Sequence, residues 1–133
     1  MEKKIVSTAA VLGMIAIILG AFGAHGLKQV LTIEQLNTFE TGVKYQMYHA
    51  LFLLFVGTTP LINRKLKNTI YNCTLIGVVF FSGSIYLLAT NSLTPIDFKV
   101  IGFITPIGGL FLIISWFLVF FDLIKPQKNK NKS

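Results

Sequence analysis

The stretch IVSTAAVLGMIAIILGAFGA, residues 5–24, decides how the rest of the chain is read. It carries no charge over its whole length, and about 20 apolar residues at about 1.5 Å each cross a hydrocarbon core about 30 Å thick. Three more uncharged runs follow, Tyr45 to Ile62, Asn68 to Ile96 and Val100 to Phe121. Only 13% of the 133 residues are charged, where a soluble domain carries about 25%. These runs predict an all-α membrane protein: a four-transmembrane-helix bundle of two antiparallel helical hairpins. Its single domain covers residues 1–124, with spans near 5–24, 43–62, 70–90 and 100–122. A secretory signal is the competing reading of the first run, since Lys3 and Lys4 precede it. It fails on the cleavage site, because Phe22 interrupts the small residues before Ala24.

Charge sets the expected orientation. The formal net charge is +7, but the basic residues are not spread evenly. With four spans, Lys3, Lys4, Arg64, Lys65, Lys67, Lys125, Lys128, Lys130 and Lys132 fall on one side, and only Lys28, Lys44 and Lys99 lie toward the other. That bias predicts cytoplasmic termini in a multi-pass protein of the inner (plasma) membrane. Residues 125–133 read as a basic, disordered cytoplasmic tail able to touch anionic headgroups. The expected partners are the lipid bilayer and either a second copy or another membrane protein. Nucleic-acid binding is excluded, because a short basic tail beside a membrane is an orientation signal. Cys73, the one cysteine, has no partner for a disulfide or a metal-ligand spacing and reads as an inert thiol.

Several elements are legible along the chain. Ala9, Gly13, Ala16, Gly20 and Gly23 share one face of the first helix, a packing seam of the kind that lets backbones approach in lipid. Thr32 and Gln35 have capping-box spacing, predicting a short interfacial helix that bends or runs on into the second span. On that span Gly42, Tyr45, Gln46, His49, Leu53, Val56 and Gly57 fall together by the helical period, with Lys44, Met47, Leu51, Leu54 and Phe55 opposite. Thr94 as N-cap, Pro95 in the first turn and Asp97 near the positive helix end predict another helix start. Its similarity to the Thr32 start suggests two hairpins of equal orientation. Pro106 predicts a kink in the last span, with Gly108 and Gly109 leaving room for a neighbour.

Gly20 to Leu27, and then Phe39 to Leu51, resemble the YgdD-like family of small membrane proteins. Phe81 to Tyr86 and Ile104 to Gly109 extend the likeness, so that it touches every span; Ile107 stands where the family usually has leucine. The resemblance implies a four-span inner-membrane protein of a family with no established function, and it supplies no catalytic residues.

The candidate functional cluster is His25, Glu40, Tyr45, Gln46 and His49. Ionisable groups inside a membrane segment are costly and raise a functional question. His25 and His49 are expected as neighbours in the outer half of the first hairpin. Three uses are open. The first is a polar clasp of His, Tyr and Gln inside a small scaffold or partner-binding subunit. The second is transport or proton handling by the two histidines. The third is a membrane-embedded metal or haem site, although the spacing matches no zinc motif. Whether the chain is an enzyme stays open, with the reading leaning against it because no nucleophile–base pair is recognisable, and no cofactor is called for.

Overall fold

A computed structural model of the chain describes residues 2–126. The expected tail beyond Pro126 lies outside the described residues. Among those described, four long helical rods form two antiparallel hairpins. The first hairpin is α1 (Lys3–His25) and α2 (Ile33–Thr58). The second begins with α3 (Arg64–Val78), which passes through a π turn (Val79–Gly83) into α4 (Ser84–Ala89). It ends with α5 (Ile104–Ile124), which a 3-10 turn (Lys99–Phe103) introduces. Three rods, Lys3–Gln29, Arg64–Ala89 and Lys99–Ile124, are long and apolar enough to cross a membrane. The α2 rod is not among them. It carries Glu34, Glu40 and Lys44 in its first turns and Gln46 and His49 further in.

The Thr32 capping box forms as its spacing predicts: the Gln35 backbone N–H donates to Thr32 Oγ1 at 3.1 Å, and the Thr32 backbone N–H donates to Gln35 Oε1 at 3.0 Å. With its first turn satisfied, α2 runs unbroken from Ile33 to Thr58, so the segments expected as an interfacial helix and a second span are one rod. The predicted start at Thr94 does not form. Asn91 holds that loop instead, donating from Nδ2 to the Ile96 carbonyl and accepting the Phe98 N–H at Oδ1. The helical turn begins beyond Asp97, whose Oδ1 accepts the Lys99 N–H at 2.9 Å. Pro95 therefore stands in the loop. The likeness between the Thr32 and Thr94 segments does not extend to their structures. Pro106 lies in the first turn of α5, where its missing N–H costs no helical bond. The winding changes from 3-10 to α just before it, between Phe103 and Ile104.

The central element is α2, which packs on α1 and on the second hairpin. Gly42, Gln46, His49, Leu53, Val56 and Gly57 are buried as the sequence face predicts, joined by Phe39, Ala50 and Phe52. The small-residue seam of α1 turns to α2: Gly13 faces Met47 and Ala50, Gly20 faces Val43, and Gly23 faces Phe39. In the second hairpin Gly77 meets Leu112, Gly108 lies on the backbone of Phe80 and Phe81, and Gly109 touches the Phe81 ring. The main apolar cluster joins Ile5 and Ala9 of α1 to Phe52, Leu53 and Val56 of α2, Ile70 and Tyr71 of α3, and Val119 of α5. At that end Glu2 pairs with Arg64 at 3.0 Å, and its N–H donates to the Gly57 carbonyl. Thr8 bonds the Tyr71 hydroxyl at 2.8 Å.

Candidate functional site

The polar residues of α2 are placed by its helical period between the two hairpins, three residues apart. Gln46 is 4% exposed and uses both ends of its amide. Nε2 donates to the Leu12 carbonyl of α1 at 2.9 Å, and Oε1 accepts the Tyr86 hydroxyl of α4 at 2.6 Å. One side chain therefore ties three rods. Close by, Ser82 in the π turn donates to the Gly42 carbonyl at 2.7 Å. A Cβ at Gly42 would lie 2.7 Å from the Tyr86 ring, so glycine is what lets α4 approach there. The π turn inserts an extra residue into the helical ladder, a feature often found at functional sites.

His49 is 3% exposed. Its Nδ1 lies 2.7 Å from the Tyr45 carbonyl, and the Trp116 indole N–H donates to its Nε2 at 3.1 Å. An indole nitrogen only donates, so Nε2 is the acceptor and the proton sits on Nδ1, donating to Tyr45. The ring is flanked by Phe52 and Trp116, with centroids at 5.9 and 6.1 Å. Farther along the seam between the rods of the second hairpin, Thr74 donates to Ser115 at 3.0 Å and Ser84 bonds Thr105 at 2.5 Å.

The structure brings together only part of the predicted cluster. Gln46 and His49 are buried, with both ends of the amide and both ring nitrogens hydrogen-bonded. Tyr45 lends its carbonyl to His49, while its ring is on the surface against Phe81 and Tyr48. His25 and Glu40 are exposed. The facing pairs along α1 and α2 put His49 near the level of Gly13. His25 lies twelve residues beyond Gly13, about 18 Å further along the axis. The two histidines are therefore not neighbours. The expectation took α2 to enter the bundle near Val43, but the rod already begins at Ile33, which carries His49 deeper.

Trp116, Tyr86 and Leu12 complete the cluster and were not legible as partners. Trp116 is 67 residues from His49 in sequence, and only packing of α5 across α2 brings them together. A signal existed in the lone tryptophan, whose N–H seeks a partner when its ring packs against others. Asp122, near the end of α5, is fully buried, with the Lys125 ammonium 3.5 Å from Oδ1. Among the described residues no three His, Cys, Asp or Glu side chains come together as a metal site.

Apolar rods with bulky exposed side chains outside and a hydrogen-bonded polar cluster inside define a helical membrane protein. Comparison with known proteins gives that class a family. The family described as "Protein of unknown function (DUF423)" matches residues 19–109. A UPF0382 membrane protein of Haemophilus influenzae is 36% identical over 96% of this chain and 98% of its own length. One of Staphylococcus saprophyticus is 40% identical over 92% of this chain and 98% of its own. The inner membrane protein YgdD of Escherichia coli is 33% identical over 90% of this chain and 88% of its own. The chain belongs to the DUF423/UPF0382 membrane protein family, and it is an inner-membrane protein with several candidate spans. No solved structure matches it.

Proposed function

We propose that this protein is a small scaffold or partner-binding subunit of the inner membrane, held together by a polar clasp of His49, Gln46, Tyr86 and Trp116. The observation that carries this reading is the closure of that cluster. Gln46 uses its amide oxygen and nitrogen on two other rods, and both His49 ring nitrogens are engaged. A proton on Nε2 would set a second donor against the Trp116 N–H, so the site favours a fixed neutral imidazole over one that cycles. Interhelical bonds of this kind are worth about 0.6 kcal/mol each, which suits a device for rod placement.

The reading includes four spans, with both termini in the cytoplasm. α2 has 26 residues, about 39 Å of rod. Its first turns, with Glu34, therefore extend beyond the hydrocarbon, while Phe39 to Thr58, about 30 Å of rod, crosses it with Glu40 and Lys44 reaching back to the headgroups. The concentration of Lys and Arg at the Glu2–Arg64 end supports the orientation. Any homo-oligomer or membrane-protein partner would dock on the apolar outer faces, where Ile17, Ile18, Ile113 and Phe120 are exposed.

The test joins stability to transport. His49→Phe and Gln46→Leu are expected to lower the melting temperature in detergent while proteoliposomes show no proton or ion flux with either chain. A pH-dependent flux in the wild type that disappears in both variants overturns the scaffold reading in favour of transport.

A further inference from the structure

We infer that the groove between the start of α3 and the end of α5 is a binding site for the phosphate of an anionic phospholipid headgroup. It has a volume of about 330 Å³ and is lined by Asn63, Lys65, Leu66, Thr69 and Lys125. No acidic side chain lines it, and two ammonium groups do. The neighbouring cations on α3 are turned elsewhere: Arg64 pairs with Glu2 at 3.0 Å, and Lys67 is buried. Lys65 is exposed, and the Lys125 side chain is 46% exposed while lying 3.5 Å from buried Asp122. That contact holds Lys125 at the groove and leaves its ammonium open to solvent on the other side. Thr69 adds a hydroxyl donor to the wall.

The surroundings favour a lipid over a free phosphate. On α5 the side chain four residues before Lys125 is Phe121, on nearly the same face. It is exposed and stacked on exposed Phe117, with centroids 6.0 Å apart. On α3 exposed Ile76 continues the face that Lys65 and Thr69 begin. A phosphate seated between the lysines would thus have its acyl chains over an apolar wall running along both rods. Basic pockets between helices at the membrane surface are suited to such headgroups. The inference rests on α3 and α5 crossing the bilayer, but on neither the orientation nor the scaffold role.

Native mass spectrometry of the full chain in detergent, titrated with phosphatidylglycerol or phosphatidylcholine, tests the site. Phosphatidylglycerol is expected to be retained preferentially. Lys65→Gln and Lys125→Gln should each reduce that preference about fivefold, with Lys65→Arg and Lys125→Arg retaining it. Glycerol phosphate and inorganic phosphate should compete weakly, since neither has acyl chains. Three results overturn the inference: equal retention of both lipids, competition by phosphate as strong as by lipid, or a preference that survives Lys65→Gln/Lys125→Gln and is lost in Lys128→Gln/Lys130→Gln/Lys132→Gln. Resistance of the same variants to alkaline extraction from membranes separates loss of the site from loss of the spanning structure.

Discussion

Along the seam between α1 and α2, a methyl group added at Gly13 would stop 3.7 Å from the Ala50 Cβ, and one at Gly20 would stop 3.5 Å from Val43. Along the seam between α3 and α5, one at Gly77 would lie 2.6 Å from Leu112, and one at Gly108 would strike the backbone of Phe80 and Phe81. The same residue type therefore serves two purposes. In the first hairpin Gly13 and Gly20 leave about a methyl group of slack against α2, while Gly23 and Gly57 are tight against the side chains of Phe39, at 3.2 Å, and Val6, at 2.7 Å. In the second it permits backbone-to-backbone contact where the α-helical ladder is already altered by the π turn. Polar ties differ in parallel. The first hairpin is joined to the second through Gln46 and His49, whereas the second closes on itself through Thr74, Ser115, Ser84 and Thr105.

The largest effect is expected from Gly108→Ala. Overpacking costs about 1–3 kcal/mol, and this change should reach the top of that range because a backbone cannot rotate away. Thermal unfolding in detergent, followed by the fluorescence of Trp116, measures it; an unchanged midpoint would break the comparison. His49→Ala comes next, at about 2 kcal/mol, from a lost acceptor and the space left beside Phe52. The Trp116 emission should shift with it, as the indole N–H loses its partner. Gln46→Leu should cost about 1 kcal/mol, and a double-mutant cycle with Tyr86→Phe should return a coupling near 0.6 kcal/mol. No coupling in the cycle would mean that the bond does not tie the hairpins. Gly20→Ala should be neutral or stabilise by up to about 1 kcal/mol, through helix propensity, with a melting curve as the readout. Exposed His25→Ala should stay within about 0.5 kcal/mol of wild type in the same assay.

Much of this architecture could be read from the chain. Long uncharged runs located the three rods that are apolar enough to cross a membrane, because crossing is a demand on length and charge alone, whereas α2 begins at Ile33, ahead of the run that starts at Tyr45. The buried face of α2 followed from its period, and the Thr32 start from a cap whose two bonds are local. What escaped depends on how distant rods slide past one another. Hydropathy places His49 on a face but gives no depth, so an α2 rod that starts at Ile33 separates it from His25. The Trp116 contact depends on a register between α2 and α5 that no local spacing records. Thr94 failed as a cap because Asn91 competed for the same loop with both ends of its amide. Such competition is decided only when the loop is closed.

The π turn at Val79–Gly83 also bears on how this chain tolerates changes of length. Such a turn is one amino acid more than an uninterrupted α-helix needs over the same distance. Removing one residue there, such as exposed Val79, would let the ladder close as ordinary α-helix while the flanking faces kept their phase. Removing one residue elsewhere in the rod would rotate everything beyond it by about 100° and carry Tyr86 away from Gln46. The second hairpin thus holds its spare residue at the place where its backbone meets Gly108, and a shorter relative would be expected to have its gap there.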